Sequence, residues 1–506
     1  MPLSPMFQSS LLKKNIDSLI AAIAGFLIIF LFTRHGGIGI EPDGVVYATT
    51  AENFHTSGKL IDFTGSPLVI FPSFYPMFLA GVMWLTRLQP LVFAPYLNAI
   101  LFALVIYLSG YIMESFSYPQ KWYKRALLIC IIFSPALLEV YSMVWSETVF
   151  ILLLLLFLIA MKNYFQAWSR KALIAAAALA SLASVARYAG ISIILAGALF
   201  LLIDMKIPFR QKIKDIILFS LISPSLLVIN LIRNYVENGT ETGLREKSLF
   251  SFYKDLHDAG SVFNDWLHVP NSYSNVAAYT LIIIILFLSY LSVKYFLRNR
   301  RIVSYESMAA AFSLVYILFI VAVACVSRFE ELNSRFFSPI FILLIWACSN
   351  WVVDATKRIS FLNKKLIIAL NAAIFLFFMY GQLSADYETW DGVKDAGIPG
   401  YTEDQWRLSN TVNFIEKNTF LFRKGYTVYS DAIDAVYFFT HKPGKYLPHK
   451  EDKQEIQNFL ADPHCYVVWF NDGEDPDLTG KNFITEVKKM KLLKQFDDGS
   501  IYEYDK

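Results

Sequence analysis

The chain has 506 residues, of which 56% are hydrophobic, 16% are aromatic and only 17% are charged. Soluble domains carry roughly 25% charged residues, so this composition excludes one large soluble core and predicts a multi-pass membrane protein. The net charge of +3 is too small to indicate a nucleic-acid partner, and the sequence has no Lys/Arg-rich run. Three of the four cysteines fall in apolar stretches and only Cys465 lies in a polar region, so no disulfide framework is expected.

Basic residues cluster before the first apolar stretch and between several of the later ones. Lys13 and Lys14 precede the first stretch, which lacks a small-residue cleavage site and is therefore interpreted as a retained signal-anchor. The positive-inside rule places all of these clusters in the cytoplasm, and between clusters the chain must cross the membrane and return. The sequence thus predicts eleven spans, with the N-terminus inside and the C-terminus outside. Their approximate limits are 15–33, 92–113, 126–143, 147–164, 172–188, 190–204, 215–232, 277–296, 307–326, 336–353 and 365–384.

Two long connections are predicted on the outer side, at 34–91 and 233–276. The apolar segment 74–85 in the first is too short to cross about 30 Å of hydrocarbon, so it is predicted to be an interfacial helix on the outer leaflet. Residues 1–384 are then a mostly helical transmembrane domain with interfacial helices in its first outer loop.

The polar tail, residues 385–506, is predicted to be a small extracytoplasmic α/β domain. Asp497-Asp498-Gly499 is typical of the turn of a closing hairpin. The predicted helices are 401–417, 432–439 and 451–460, and the predicted strands are 425–429, 465–470, 492–496 and 500–504. Four acidic residues form a loop in which a solvated surface is favoured over a calcium site because EF-hand spacing is absent. They are Asp472, Glu474, Asp475 and Asp477.

The stretch Glu41-Pro42-Asp43-Gly44 follows the first span directly. Pro42 suits the first position of a helix, so Asp43 is predicted to lie near a helix N-terminus, where the dipole keeps a carboxylate ionised. An ionised carboxylate can accept a proton from a hydroxyl group that is held against it. The alternative is that Asp43 only caps the helix.

Charged residues also recur at the predicted outer ends of spans, where they are costly without a partner or a function. Glu147 opens the fourth span, Arg187 and Tyr188 end the fifth, and Arg233 ends the seventh. Arg328 and Arg335 flank the connection between the ninth and tenth spans. A guanidinium group suits a lipid phosphate because it donates two parallel hydrogen bonds. The alternatives are anchoring to lipid head groups, helix capping by Glu147, and local ion pairs such as Arg328 with Glu330 or Glu331.

In this order and topology, these residues resemble the GT-C superfamily of membrane glycosyltransferases, over about residues 10–385. Nearest in style are the protein O-mannosyltransferases and the lipid A aminoarabinose transferase. The stretches that carry the resemblance are Glu41-Pro42-Asp43, Phe71-Pro72-Ser73-Phe74-Tyr75-Pro76, Ser146-Glu147, Val185-Ala186-Arg187-Tyr188 and Arg335-Phe336-Phe337-Ser338-Pro339. The Asp-x-Asp element of metal-dependent oligosaccharyltransferases is missing from the first outer loop and from around Glu147. No cofactor is therefore expected to be required, and a divalent metal is possible but not indicated.

The resemblance implies an inverting glycosyltransferase of the cell membrane that moves a monosaccharide from a polyprenyl-phosphate donor. The acceptor is a hydroxyl of a glycan, lipid or protein at the outer face. Asp43 and Glu147 are the implied catalytic residues, with Asp43 as general base. The implied phosphate-binding residues are Arg335, Arg233, Arg187 and Arg328, and the implied sugar or lipid contacts are Tyr47, Tyr75 and Tyr188.

Two other classes of function are weighed against this enzyme. A lipid or glycan transporter or flippase requires polar residues at mid-membrane depth and usually internal symmetry, whereas the strong charges here lie at span ends. A sensor or scaffold that binds a partner through its tail leaves the long first loop without a purpose.

Overall fold

The computed structural model describes residues 15–116, 121–243, 245, 247–248, 250–270, 275–328, 330–358, 364–471 and 477–506. In this part of the chain the protein is mostly helical, with one small sheet near the C-terminus. Helices α1 to α10 are Ile16–Phe32, Pro42–Ser57, Phe74–Thr86, Pro90–Met113, Lys121–Ile132, Pro135–Tyr141, Glu147–Ala167, Arg170–Ala186, Ile191–Ile203 and Phe209–Ile222. Helices α11 to α20 are Ser225–Asn238, Phe252–Leu267, Val276–Asn299, Tyr305–Val326, Ser334–Arg358, Lys364–Ala396, Asp404–Arg407, Asn410–Lys417, Ile433–Thr440 and Lys453–Ala461.

Within the described ranges, seven helical stretches are long and apolar enough to cross a membrane, which makes this a multi-pass membrane protein. Three further apolar helical stretches are shorter, and they include α1 and the predicted interfacial helix α3. The thirteen residues of α3 agree with the predicted segment 74–85. The count of eleven spans and their orientation remain predictions.

The predicted span 126–143 is not one helix, and the sequence-based expectation of an uninterrupted segment is wrong. Helix α5 ends at Ile132, and α6 begins at Pro135. Pro135 has no N–H to continue the preceding helix, and it favours the first position of a new one. The Ser134 side chain caps this new helix by accepting a hydrogen bond from the backbone N–H of Leu137 at 3.4 Å.

The described chain forms two compact units. The first contains the residues up to Phe32 together with Val69–Tyr75 and Ala94–Asp391, and the second contains Thr33–Leu68, Pro76–Phe93 and Gly392–Lys506. Most of the first long loop therefore shares a unit with the tail. The predicted boundary between the transmembrane domain and the tail, at residues 384 and 385, lies inside helix α16.

The tail contains a five-stranded sheet, whose strands occur in the order β2-β1-β3-β5-β4. Strands β1 to β5 are Thr427–Ser430, Lys445–Tyr446, His464–Phe470, Lys491–Gln495 and Gly499–Asp505. Strand β1 is parallel to β2 and β3, whereas β5 is antiparallel to β3 and β4. The predicted hairpin and buried strand are confirmed, while the two-residue strand β2 was not predicted.

The central strand β3 is buried on both faces of the sheet. Tyr466, Val468 and Phe470 point into one core, and the alternate residues Cys465, Val467 and Trp469 point into another. The first core also contains Ile40, Val45, Ala48 and Phe63 of the first long loop. Burial on both faces explains why the sequence of β3 is a continuous apolar run rather than an alternation of apolar and polar residues.

The predicted helix 401–417 is divided in the structure. Only Asp404–Arg407 and Asn410–Lys417 are helical, and Tyr401 precedes both of them. Ser409 starts the second helix because its side chain accepts a hydrogen bond from the Val412 backbone N–H at 3.0 Å.

Candidate active site

Glu147 is fully buried in the first unit and forms ion pairs with two arginines. Its Oε1 atom accepts a hydrogen bond from the Nε–H of Arg335 at 2.5 Å and is paired with the guanidinium group of Arg187. The Oε2 atom of Glu147 has no hydrogen-bond partner among the described residues. Two guanidinium groups and one carboxylate together carry one net positive charge, which suits an anionic ligand.

Each member of this ion-pair cluster stands at the end of a different helix. Glu147 is the first residue of α7, Arg187 directly follows the last residue of α8, and Arg335 lies in the first turn of α15. The chain turns sharply after Arg187, and at Gly190 it passes so close to the Ala183 carbonyl group that a Cβ atom would overlap it. Glycine at this position therefore lets the next helix begin within four residues of Arg187.

The segment before Glu147 is held rigidly. The buried side-chain amide of Asn98 donates hydrogen bonds to the carbonyl groups of Tyr141 and Met143, at 3.1 Å and 2.8 Å. The indole ring of Trp145 then lies against Arg335, with the guanidinium carbon 4.1 Å from the ring centroid. A stacked ring and a carboxylate together restrict the orientation of a guanidinium group.

A second basic cluster surrounds Tyr188 in the same unit. The Tyr188 hydroxyl donates a hydrogen bond to the Val69 carbonyl group at 3.3 Å, and the amide of Asn234 donates to the same carbonyl at 3.3 Å. Arg233 donates a hydrogen bond to the side-chain oxygen of Asn234 at 3.2 Å. Arg245 lies over the Tyr188 ring, 5.9 Å from its centroid.

Sequence reasoning selected Arg233 and Tyr188 but missed Arg245. This arginine donates a hydrogen bond to the Ile70 carbonyl group at 3.0 Å, which is a contact across 175 positions of the chain. Arg245 lies in the second long loop, outside any regular helix or strand. No periodicity in the sequence there could have indicated its neighbours.

Asp43 belongs to the second unit and lies in the first turn of α2. The prediction that Pro42 begins this helix is confirmed, and Asp43 is half-buried. The N-cap position is held by Glu41, which makes no side-chain capping bond. Asp43 is therefore not the capping residue of its helix.

The tail part of the same unit contains a buried carboxylate, that of Asp434 in α19. The hydroxyl groups of Tyr401 and Tyr446 both donate hydrogen bonds to Asp434, the latter at 3.0 Å. Burial raises the pKa of Asp434, the two hydroxyl groups lower it, and the negative charge of Asp43 raises it further.

Three further residues, Tyr47, Tyr75 and Arg328, were predicted to contact the sugar, the lipid or the phosphate. Tyr47 and Tyr75 are only 3% and 1% exposed, so neither ring is open to solvent. Arg328 is half-buried in the connection between α14 and α15, and both it and Glu330 take part in interactions. Glu331 pairs with Lys254 at 3.1 Å.

Among the described residues, no group of three or more His, Cys, Asp or Glu side chains is arranged to hold a metal ion. Three members of the predicted acidic loop, Asp472, Glu474 and Asp475, lie outside the described residues.

By sequence alone, the chain matches no family model and none of the curated proteins compared with it. By structure, it is similar to ArnT from Cupriavidus metallidurans in the apo state, with a TM-score of 0.57, 11% identity, and coverage of 96% of this chain and 97% of that one. It is also similar to an oligosaccharyltransferase from Archaeoglobus fulgidus, with a TM-score of 0.56, 12% identity, and coverage of 90% of this chain and 68% of that one.

The chain has the GT-C fold. Its similarity to the arabinofuranosyltransferase AftD from Mycobacteria agrees, with a TM-score of 0.54 and 12% identity over 100% of this chain and 40% of that one. One ArnT structure contains undecaprenyl phosphate, and one structure of the Archaeoglobus enzyme AglB contains an inhibitory peptide and a dolichol-phosphate. At these identities, the likeness of this chain to the GT-C enzymes concerns the fold.

Proposed function

We propose that the protein is an inverting glycosyltransferase, which moves a monosaccharide from a polyprenyl-phosphate donor to an acceptor hydroxyl at the extracytoplasmic face of the cell membrane. The observation that carries the proposal is the buried Glu147 carboxylate, which gathers Arg187 and Arg335 from two separate helices. The GT-C fold supports the same reaction class.

Arg335 and Arg187 are the proposed ligands of the donor phosphate. As the bond between the anomeric carbon and the phosphate oxygen breaks, the bonding electrons move to the phosphate, and its added negative charge needs cations nearby. Glu147 and the Trp145 ring keep the Arg335 guanidinium in one orientation. We therefore assign Glu147 the role of holding the arginines, rather than that of a proton carrier.

Arg233, the newly recognised Arg245 and Arg328 are further proposed contacts for the anionic donor. The clustering of Arg233 and Arg245 around Tyr188 favours these two. A planar guanidinium can bridge phosphate oxygens while it stacks on an aromatic ring.

Asp43 is the proposed general base. The acceptor oxygen attacks the anomeric carbon on the face opposite the phosphate, a new carbon–oxygen bond forms, and the hydroxyl proton passes to Asp43. Such a base typically contributes about 10²- to 10⁴-fold to the rate.

The test is the release of free polyprenyl phosphate from a labelled polyprenyl-phosphate sugar, with the purified full-length protein in lipid nanodiscs. Asp43→Asn is expected to insert and fold but to lose about 10²- to 10⁴-fold in turnover, since the amide cannot accept the proton. The matched control is Glu52→Gln on the same helix, which should retain wild-type turnover.

Turnover of Asp43→Asn near the wild-type value would remove the assignment of the base. Movement of labelled donor across the bilayer without any release of polyprenyl phosphate would instead support the transporter or flippase.

A further inference from the structure

The second long loop contains helix α12, which packs against the beginning of α15, the helix that carries Arg335. The indole N–H of Trp266, near the end of α12, donates a hydrogen bond to the Ser334 hydroxyl at 3.1 Å. Ser334 is the first residue of α15 and directly precedes Arg335. Because Trp266 is only 8% exposed, this hydrogen bond lies in a setting of low dielectric, where it is stronger than in water.

Aromatic contacts support the same packing of α12 on α15. The ring of Trp266 meets that of Phe341 edge to face, with centroids 5.2 Å apart, and the rings of Phe263 and Phe337 are 5.3 Å apart. Residues three or four positions apart share one face of a helix, so both contacts join the same two faces. One face of α12 therefore covers the N-terminal turns of α15.

Helix α12 is in turn held by two other helices. At Gly260 it passes so close to a backbone carbonyl group in the first turn of α13 that a Cβ atom would overlap it. At its C-terminal end, the side-chain amide of Gln382 in α16 donates a hydrogen bond to the Trp266 carbonyl group at 3.0 Å. The His268 ring lies against Gly381 of the same helix, where a Cβ atom would overlap the ring. These contacts make the end of α12 a rigid support for the Trp266 indole.

We infer that Trp266 is a positioning residue for the donor phosphate, because its indole N–H fixes the start of α15 and with it the Arg335 guanidinium group. The inference rests on the proposed function, in which Arg335 binds that phosphate. Glu147 and the Trp145 ring orient the Arg335 side chain, whereas Trp266 holds the residue before it. Two parallel hydrogen bonds to a phosphate require an accurately placed guanidinium, so a loosened start of α15 should weaken them.

The experiment removes only the N–H group. Trp266→Phe keeps an aromatic ring against Phe341 but cannot donate to Ser334. In the full-length protein in lipid nanodiscs, this variant is expected to raise the donor KM about two- to tenfold, the usual loss for one neutral hydrogen bond, with the acceptor KM unchanged. The matched control is Trp351→Phe, the same substitution on α15, where the indole ring contacts Phe287. It should leave both KM values at the wild-type level.

Two combined variants separate positioning from packing. Ser334→Ala removes the acceptor of the same hydrogen bond, so it should raise the donor KM to a similar extent, and Trp266→Phe should add nothing to it. In an Arg335→Ala background, Trp266→Phe should also have no further effect, because the group that it positions is missing. An unchanged donor KM in Trp266→Phe, additive effects in either pair, or an equal rise in the acceptor KM would overturn the inference.

A second readout does not depend on activity. The backbone N–H of Arg335 donates a hydrogen bond to the Asn333 side chain at 3.1 Å, and that of Phe336 donates to the Asn333 carbonyl group at 3.2 Å. Hydrogen exchange of these two amides should become faster in Trp266→Phe and stay unchanged in Trp351→Phe. Unchanged exchange in Trp266→Phe rejects the inference even if transfer is never observed. An inactive wild-type protein in which Trp266→Phe still causes the faster exchange would count against the proposed function alone.

Discussion

Glu147 is the residue on which the orientation of two arginines depends. A carboxylate with no exposed surface is costly to bury, and here two guanidinium groups offset that cost. Removing the charge of Glu147 would leave the two cations close together without their shared partner. We therefore expect Glu147 to affect the stability of the first unit and, in the proposed function, the binding of the donor phosphate.

We expect Glu147→Gln to destabilise the protein by about 3–5 kcal/mol, the usual consequence of breaking a buried ion pair. It should also raise the donor KM with little change in the acceptor KM, because the arginines lose their fixed orientation. Thermal unfolding in nanodiscs and initial-rate kinetics measure the two effects.

Arg335→Ala should likewise raise the donor KM with little change in the acceptor KM. In the double variant, the effect on the donor KM should be smaller than the sum of the two single effects, because the two side chains act together.

The control is Glu331→Gln, which removes an exposed ion pair with Lys254. Exposed pairs contribute about 0–1 kcal/mol, so little change is expected. Equal effects of Glu147→Gln on donor and acceptor KM would contradict a role at the donor phosphate.

At the scale of elements, the sheet of the tail depends on β3 and on the turn that precedes α19. Both oxygens of Asp431 accept a hydrogen bond from the Phe470 backbone N–H, at 3.0 Å and 3.1 Å, at the end of β3. Burial raises the pKa of Asp431 to about 7, while these hydrogen bonds oppose the shift. Strand β1 is thus tied to β3 by a carboxyl group that titrates near neutral pH.

This arrangement predicts a pH dependence of stability. A carboxyl whose pKa is higher in the folded protein than in the unfolded chain stabilises the fold fully below the unfolded pKa of about 3.9. The contribution is lost as the pH rises through about 7. Hydrogen exchange of β3 in the full-length protein should therefore become faster between pH 4 and 7, after correction for the intrinsic exchange rate.

Asp431→Asn should remove this part of the pH dependence, since an amide does not titrate. Above pH 7, the variant should protect β3 at least as well as the wild type does. A pH dependence that is identical in the two proteins would show that Asp431 is not its source.

For the whole molecule, the predicted orientation follows from the distribution of lysines and arginines between apolar segments. Cytoplasmic loops carry an excess of these residues, which predicts an inside N-terminus and an outside tail. The described helices agree with a multi-pass protein, since seven of their apolar stretches are long enough to cross a membrane. Orientation is a property of the whole chain and needs its own measurement.

We expect Lys424→Cys in the tail to react with a membrane-impermeant maleimide in intact cells, in a background whose native cysteines are replaced by alanine. Arg210→Cys, just before a predicted span, should react only after the membrane is made permeable. Both positions are exposed in the structure. The opposite pattern of labelling would reverse the assigned topology.

Local patterns in the chain were enough to place most helices, the buried strand β3 and the closing hairpin. Hydrophobic periodicity, segment length and turn residues are properties of a few neighbouring positions. The start of α2 at Pro42 could therefore be predicted from the sequence alone. The break between α5 and α6 was also encoded locally, in Ser134-Pro135, but the apolar run around it concealed it. The ends of spans likewise identified Glu147, Arg187 and Arg335 as candidates.

Partners, by contrast, were decided by the tertiary structure. Glu147 and Arg335 are 188 positions apart, and Ile38 and Thr402 are 364 positions apart. Such pairs depend on how helices and loops pack, and no local period carries that information. For the same reason, the sequence did not indicate Arg245 as a neighbour of Tyr188. A single sequence shows which charged residues exist but not which of them are in contact.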